Sequence, residues 1–187
     1  MATITAEQAQ AVLQDAELIY SKEHIAATLD TMAQAISAQL AETDPLMLVV
    51  MNGALMPASE LFIRMQFPFR TSYIHVTRYR GNTTGGSVYW VAKPDLDVKD
   101  RVVLVIDDIL DEGTTLKAII DELRTAGASA VYSAVLINKQ HDRKEAELTV
   151  DFVGMDVPDR YVFGFGMDYK EYWRNLPAIY AVKDDDN

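Results

Sequence analysis

Residues 102 to 115 read VVLVIDDILDEGTT. An apolar, β-branched run leads into Asp107 and Asp108, a third carboxylate follows at Asp111, and Glu112, Gly113, Thr114 and Thr115 complete the stretch. Carboxylates at the mouth of a buried strand are costly unless something neutralises them or hydrogen-bonds to them. They accept well from sugar hydroxyls, and they hold divalent cations directly or through water. The turn that follows complements them. A helix starting there presents unpaired amide N–H groups and positive dipole charge, which suit a phosphate. Gly113 lets the backbone bend close, and the hydroxyls of Thr114 and Thr115 add donors. A ligand with a phosphate beside a ribose meets both features. Taken singly the signals are weak, since Asp111 serves equally as a helix N-cap and Gly113 as an ordinary turn residue. The weight lies in the full string, a hydrophobic strand, then D-D-x-x-D-x-G-T-T, then a helix.

The flanking elements are those that would carry such a turn. Thr5 to Gln8 fits a T-x-x-Q capping box opening a short helix through roughly Leu18. Ser21 caps a second helix, whose Ile25, Leu29, Met32, Ile36 and Leu40 form one apolar stripe. LMLVVM, after Asp44-Pro45, reads as a strand buried on both faces, ending in Asn52-Gly53 before the helical SELFIRM. SYIHVTRY and VYWVAK are further strands around a polar, glycine-rich RGNTTGGS. TLKAIIDELRTAG is an amphipathic helix stopped by Gly127, and AVYSAVLINK is the next strand. QHDRKEAEL is a charged surface connection, and VDFVGM, RYVFGFG and IYAVK are short strands. Strands alternating with helices predict an α/β fold with a central, mostly parallel sheet flanked by helices. With 187 residues and no linker or repeat, a single domain spanning 1–187 is expected, with N-terminal helices at about 5–41.

An apolar content of 49% with 24% charged residues places the chain among globular proteins. No run of eighteen apolar residues occurs, so no membrane association is expected, and MATITAEQAQ lacks the basic and apolar regions of a signal peptide. A cytoplasmic location is the default expectation. A net charge of −11 argues against nucleic-acid partners, including for an RNA-binding regulator on this fold. No G-x-x-x-x-G-K-[ST] is present, which excludes a Walker A nucleotidase.

The acidic string resembles the phosphoribosyl pyrophosphate (PRPP) signature of type I phosphoribosyltransferases. The resemblance implies that Asp107 and Asp108 hold the ribose hydroxyls and that Asp111, Glu112, Gly113, Thr114 and Thr115 hold the 5-phosphate, within a PRPP loop at 105–115. It also makes Asp111 the general base near the purine N7. DFVGMDVPDRYVFGFGMDYKEYWRNLP, residues 151 to 177, is similar to the corresponding stretch of hypoxanthine-guanine phosphoribosyltransferases, and the likeness extends over roughly 45–183. It implies that Tyr161 stacks on the purine, that Val162 offers its backbone to the base edge, and that Lys139 donates to O6. Adenine carries an amino donor at that position, so a 6-oxopurine is expected. Asp168 is implied as the Mg²⁺ ligand, with Asp107 and Asp108 reaching the ion indirectly through ribose hydroxyls or water, and Arg174 as a pyrophosphate contact.

Asn52 and Gly53 fall in the pyrophosphate loop, where the family tends to have a strained, sometimes cis, peptide. Many relatives carry a basic residue at the position of Asn52, so here the contact is left to backbone N–H groups. Arg78 and Tyr79 stand where many members have Ser-Tyr, at the base of a hood at about 78–92 that closes over substrate. Arg78 would add a cation near pyrophosphate. The implied reaction is purine salvage from PRPP and hypoxanthine or guanine, in a homodimer or homotetramer.

Overall fold

The computed structural model describes residues 4–78, 88–145 and 147–183. Helix α1 (Ala6–Asp15) opens on the predicted capping box: Thr5 Oγ1 accepts from the Gln8 amide, and Gln8 Oε1 accepts from the Thr5 amide. The helix does not reach Leu18. Residues Glu17–Tyr20 form strand β1, which pairs antiparallel with β9 (Ile179–Ala181). A partner more than 150 residues away in sequence overrides the local helical pattern, as tertiary pairing commonly does for short segments. Helix α2 (Lys22–Leu40) is capped by Ser21 and buries Ile25, Leu29, Met32, Ile36 and Leu40, the expected stripe.

Strand β2 (Leu46–Met51) is buried from Leu46 to Val50. Each such side chain contributes roughly 1.5–3 kcal/mol on leaving water. Helix α3 (Leu55–Phe62) starts directly after the Asn52-Gly53 turn, earlier than SELFIRM suggested. Strands β3 (Arg70–Arg78) and β4 (Val88–Ala92) follow, then β5 (Val102–Leu110), α4 (Thr114–Thr125), β6 (Ala130–Lys139), β7 (Phe152–Val157) and β8 (Val162–Phe163).

The main sheet has the order β4-β3-β2-β5-β6-β7. Its pairings are parallel except for β3 with the edge strand β4. From β2 the chain winds outward to β3, whereas from β5 it winds the opposite way to β6 and β7. The β2–β5 junction is therefore the switch point, where a crevice opens beyond the carboxyl ends of the strands. A smaller antiparallel sheet, β1-β9-β8, packs Phe163 against Tyr169 and Val182 beside α1. The Trp173 indole N–H donates to the Ala9 carbonyl at 2.8 Å, tying that helix to the C-terminal segment.

Candidate active site

The acids stand inside β5 rather than beyond it, because pairing with β6 continues to Leu110. Each curls toward the strand backbone: Asp107 Oδ1 accepts from the Asp108 amide at 3.0 Å, and Asp108 Oδ1 accepts from the Ile109 amide at 2.9 Å. Burial, reinforced by the charge of Asp108, pushes the Asp107 carboxyl well above the usual carboxylate range. Burial raises Asp108 as well, against the pull of its hydrogen bond with Asp107 and the charge of Arg174. Two acids so placed are short of positive charge and donors.

Beyond them the chain turns through Gly113, whose φ of 88° is left-handed, into α4. That conformation is what requires glycine; a Cβ there would also press on the Leu148 side chain, 2.5 Å from its Cδ2. Gly113 occupies the N-cap, not Asp111, and the helix start has no side-chain cap and no acid in its first turn. A helix start of this kind presents positive dipole charge, which suits an anion. Thr115 faces the same crevice, whereas the Thr114 hydroxyl donates to Glu145 at 3.1 Å and Glu112 lies outside the crevice lining.

From β2, the Met51–Asn52 peptide is cis, and Asn52 is exposed while Gly53 is buried. Gly53 is wedged between β5 and a C-terminal loop: a Cβ on Gly166 would stand 2.0 Å from the Gly53 carbonyl oxygen. That loop presents Arg174, whose guanidinium donates to the Gly166 carbonyl at 2.6 Å and pairs with Asp168 at 2.6 Å. The other Asp168 oxygen accepts from the Glu171 amide at 2.7 Å.

Lys139, at the end of β6, does not stand free. Its Nζ pairs with Asp111 Oδ2 at 2.9 Å, and His141 Nε2 lies 2.7 Å from Oδ1. Burial alone would raise the Asp111 carboxyl, but these two donors outweigh it and hold Asp111 below its ordinary value. The sequence reading missed His141; a lone histidine in a charged connection carries no local signal. Tyr161 is 39% exposed, edge-on to Tyr169 with ring centroids 5.4 Å apart, while Val162 is buried in β8 and paired with Ala181 of β9.

These residues meet around two adjoining cavities. One, of about 300 Å³, is lined by Asn52, Gly53, Asp107, Gly113, Thr115 and Arg174. The other, of about 280 Å³, is lined by Lys139, Tyr161, Val162 and Met167. Asp108, Asp111 and Asp168 border both. A larger hollow of about 570 Å³ between α2 and the end of α3 is lined by Ala33, Gln34, Ser37 and an Arg64 already paired with Asp30 and Glu60. Chemistry, not volume, locates the site. Arg78 ends β3, but its side chain, Tyr79 and residues 80–87 of the expected hood lie outside the described residues.

The model of the phosphoribosyl transferase domain matches residues 15–171. The chain belongs to the phosphoribosyltransferase family. Curated hypoxanthine-guanine phosphoribosyltransferases from Aquifex aeolicus and Bacillus subtilis are each 32% identical, over 90% and 89% of this chain and 95% and 93% of their own. A solved hypoxanthine phosphoribosyltransferase from Staphylococcus aureus superposes with a TM-score of 0.87 at 27% identity, covering 94% of this chain and 96% of its own. The α/β architecture with its mostly parallel sheet is that of the phosphoribosyltransferase structures.

Proposed function

We propose that this phosphoribosyltransferase is a purine-salvage enzyme, transferring the 5-phosphoribosyl group of PRPP to hypoxanthine or guanine and releasing pyrophosphate with IMP or GMP. One observation carries the reading. Asp111, the candidate base, borders both cavities, with Lys139 and Tyr161 on one side and Asp107, Gly113 and Arg174 on the other. A nucleotide assembled across them has its base, sugar and phosphates in chemical order. The names of the curated relatives support the same substrates.

In this mechanism the base stacks on Tyr161, a contact worth about 1–3 kcal/mol, and the Val162 backbone meets its edge. Lys139 donates to O6. Because O6 and N7 are adjacent on the purine, the Lys139–Asp111 pair lies along the edge it is to read. An adenine amino group would set donor against donor. Asp107 and Asp108 accept from the ribose hydroxyls, and the amides at Gly113 to Thr115 with the Thr115 hydroxyl hold the 5-phosphate; Glu112 and Thr114 contribute through the loop backbone. The N9 lone pair forms the bond to C1, the C1–oxygen bond to pyrophosphate breaks with its electrons leaving on the oxygen, and the N7 proton passes to Asp111. Arg174, the Asn52-Gly53 amides, Arg78 and Tyr79 receive the leaving group.

No cluster of three metal-ligating side chains occurs among the described residues. Asp168, which shares a cavity with Asp108 and carries Arg174 and the Glu171 amide on its two oxygens, nevertheless has the chemistry for Mg²⁺, which takes one or two protein carboxylates and completes its shell with phosphates and water. Asp168 would hold the ion, with Asp107 and Asp108 reaching it through ribose hydroxyls or water. When bound it supplies charge neutralisation to pyrophosphate. The reading includes a cytoplasmic location, in keeping with the lack of any described helix long and apolar enough to cross a membrane. It also includes a homodimer or homotetramer, for which exposed Leu55 and Ile63 offer apolar surface.

The test is product formation from PRPP and Mg²⁺ with hypoxanthine, guanine, xanthine and adenine in parallel. IMP and GMP should form, with adenine slower by about 10²-fold or more. No product from either hypoxanthine or guanine would refute the proposal.

A further inference from the structure

His141 follows β6 by two residues, and its side chain is only 3% exposed. Both ring nitrogens are engaged. Nδ1 accepts the backbone N–H of Arg143 at 3.1 Å, and Nε2 lies 2.7 Å from Asp111 Oδ1. A backbone amide can only donate, so the ring proton of the neutral imidazole sits on Nε2 and is donated to Asp111. The two carboxylate oxygens therefore have different donors, His141 on Oδ1 and Lys139 on Oδ2.

These donors are not equivalent. Lys139 has an alternative acceptor in the purine O6, and an arriving base draws it off Oδ2. His141 has none. Its ring is fixed by the Arg143 amide, and the Arg143 guanidinium is held by both oxygens of Asp159 at 2.8 Å, two residues before Tyr161.

We infer that His141 is a positioning residue for phosphoribosyl transfer, holding Asp111 by Oδ1 so that Oδ2 faces the purine N7 once Lys139 has moved to O6. The inference rests on the reading of Asp111 as the base. As the C1–N9 bond forms and pyrophosphate departs with the electrons of the C1–oxygen bond, the N7 proton ends on Oδ2 and His141 keeps its own. The charged and titratable groups around Asp111 include Lys139 and His141 from the β6 side, Arg143 and Asp159 behind them, Asp108 in the strand that Asp111 follows, and Asp168 across the cavities.

Two substitutions separate positioning from mere support of the loop. In His141→Asn the side-chain oxygen stands near Nδ1 and can still accept from Arg143, but nothing reaches Asp111. In His141→Gln the amide nitrogen stands where Nε2 does and restores the donor. Rates with hypoxanthine and PRPP should show kcat lowered by about tenfold in His141→Asn, with the KM for PRPP within about twofold of wild type, and most of the kcat recovered in His141→Gln. Wild-type kcat in His141→Asn, or equal losses in both variants, overturns the inference. A wild type that makes no nucleotide, or an Asp111→Asn variant with undiminished kcat, removes the reading of the base, and the inference with it.

Discussion

Gly53 and Asp108 sit so close that no side chain fits between them: a Cβ built on Gly53 would stand 1.9 Å from Asp108 Oδ2 and 2.4 Å from its Cγ. The turn after β2 and the acid of β5 thus form one surface across the switch point. A methyl at Gly53 has to displace the carboxylate, since Gly166 closes the other side. The obstructing atoms are the end of a side chain, so the fold should survive while the ribose contact is lost. Gly53→Ala is expected to raise the KM for PRPP by about tenfold or more, the scale of a lost charged hydrogen bond, and to shift the melting temperature little. A variant with unchanged PRPP kinetics would show that Asp108 does not touch the sugar.

Asp111→Asn leaves the shape of the site intact and removes the proton acceptor. Turnover should fall by roughly 10²-fold or more, while PRPP binding measured by calorimetry stays close to wild type. Near-normal turnover would strip Asp111 of its role as base.

For Lys139→Ala the expectation is a loss confined to the base. The KM for hypoxanthine and guanine should rise by about tenfold, with that for PRPP almost unmoved. If the ranking of the four purines is preserved and their KM values stand, O6 is read by another group.

Asp107 carries a cost in the unliganded protein. Its folded carboxyl is raised by burial and by Asp108, so it favours folding while protonated and loses that contribution as pH climbs from the ordinary carboxylate range through the raised folded value. Asp107→Asn keeps an oxygen for the Asp108 amide and drops the charge. The variant should melt higher than wild type at pH 7 to 8, with the gap closing near the ordinary aspartate value of about 4, and should bind PRPP more weakly. Scanning fluorimetry across this range decides it; a gap independent of pH would mean that charge is not its cause.

The central strands of the main sheet were legible from continuous apolar runs, as in LMLVVM and VVLVI, and the site was legible where chemistry is local in sequence, as in Asp107 to Thr115. What escaped is non-local. Residues 17–20 look like the end of a helix until Ile179–Ala181 arrive to pair with them. His141 looks like a solvated histidine until the chain reverses and brings its ring onto Asp111. Lys139 was expected to wait for a purine, and its ion pair with Asp111 depends on a strand neighbour that no spacing rule predicts. The narrow gap at Gly53 likewise exists only once β2 and β5 lie side by side.

The β1-β9-β8 ribbon has a bearing on how the enzyme is made. Strand β8, which carries Val162 next to Tyr161, is bordered by residues 179–181, and these in turn lean on residues 17–20. On the ribosome, the strands that lead into Asn52 and carry Asp107 and Lys139 are complete by residue 139, but the nucleobase platform cannot close until residues 179–181 are synthesised. The donor's pyrophosphate and metal contacts, Arg174 and Asp168, arrive in the same late stretch, so neither substrate has a finished seat until that stretch is made.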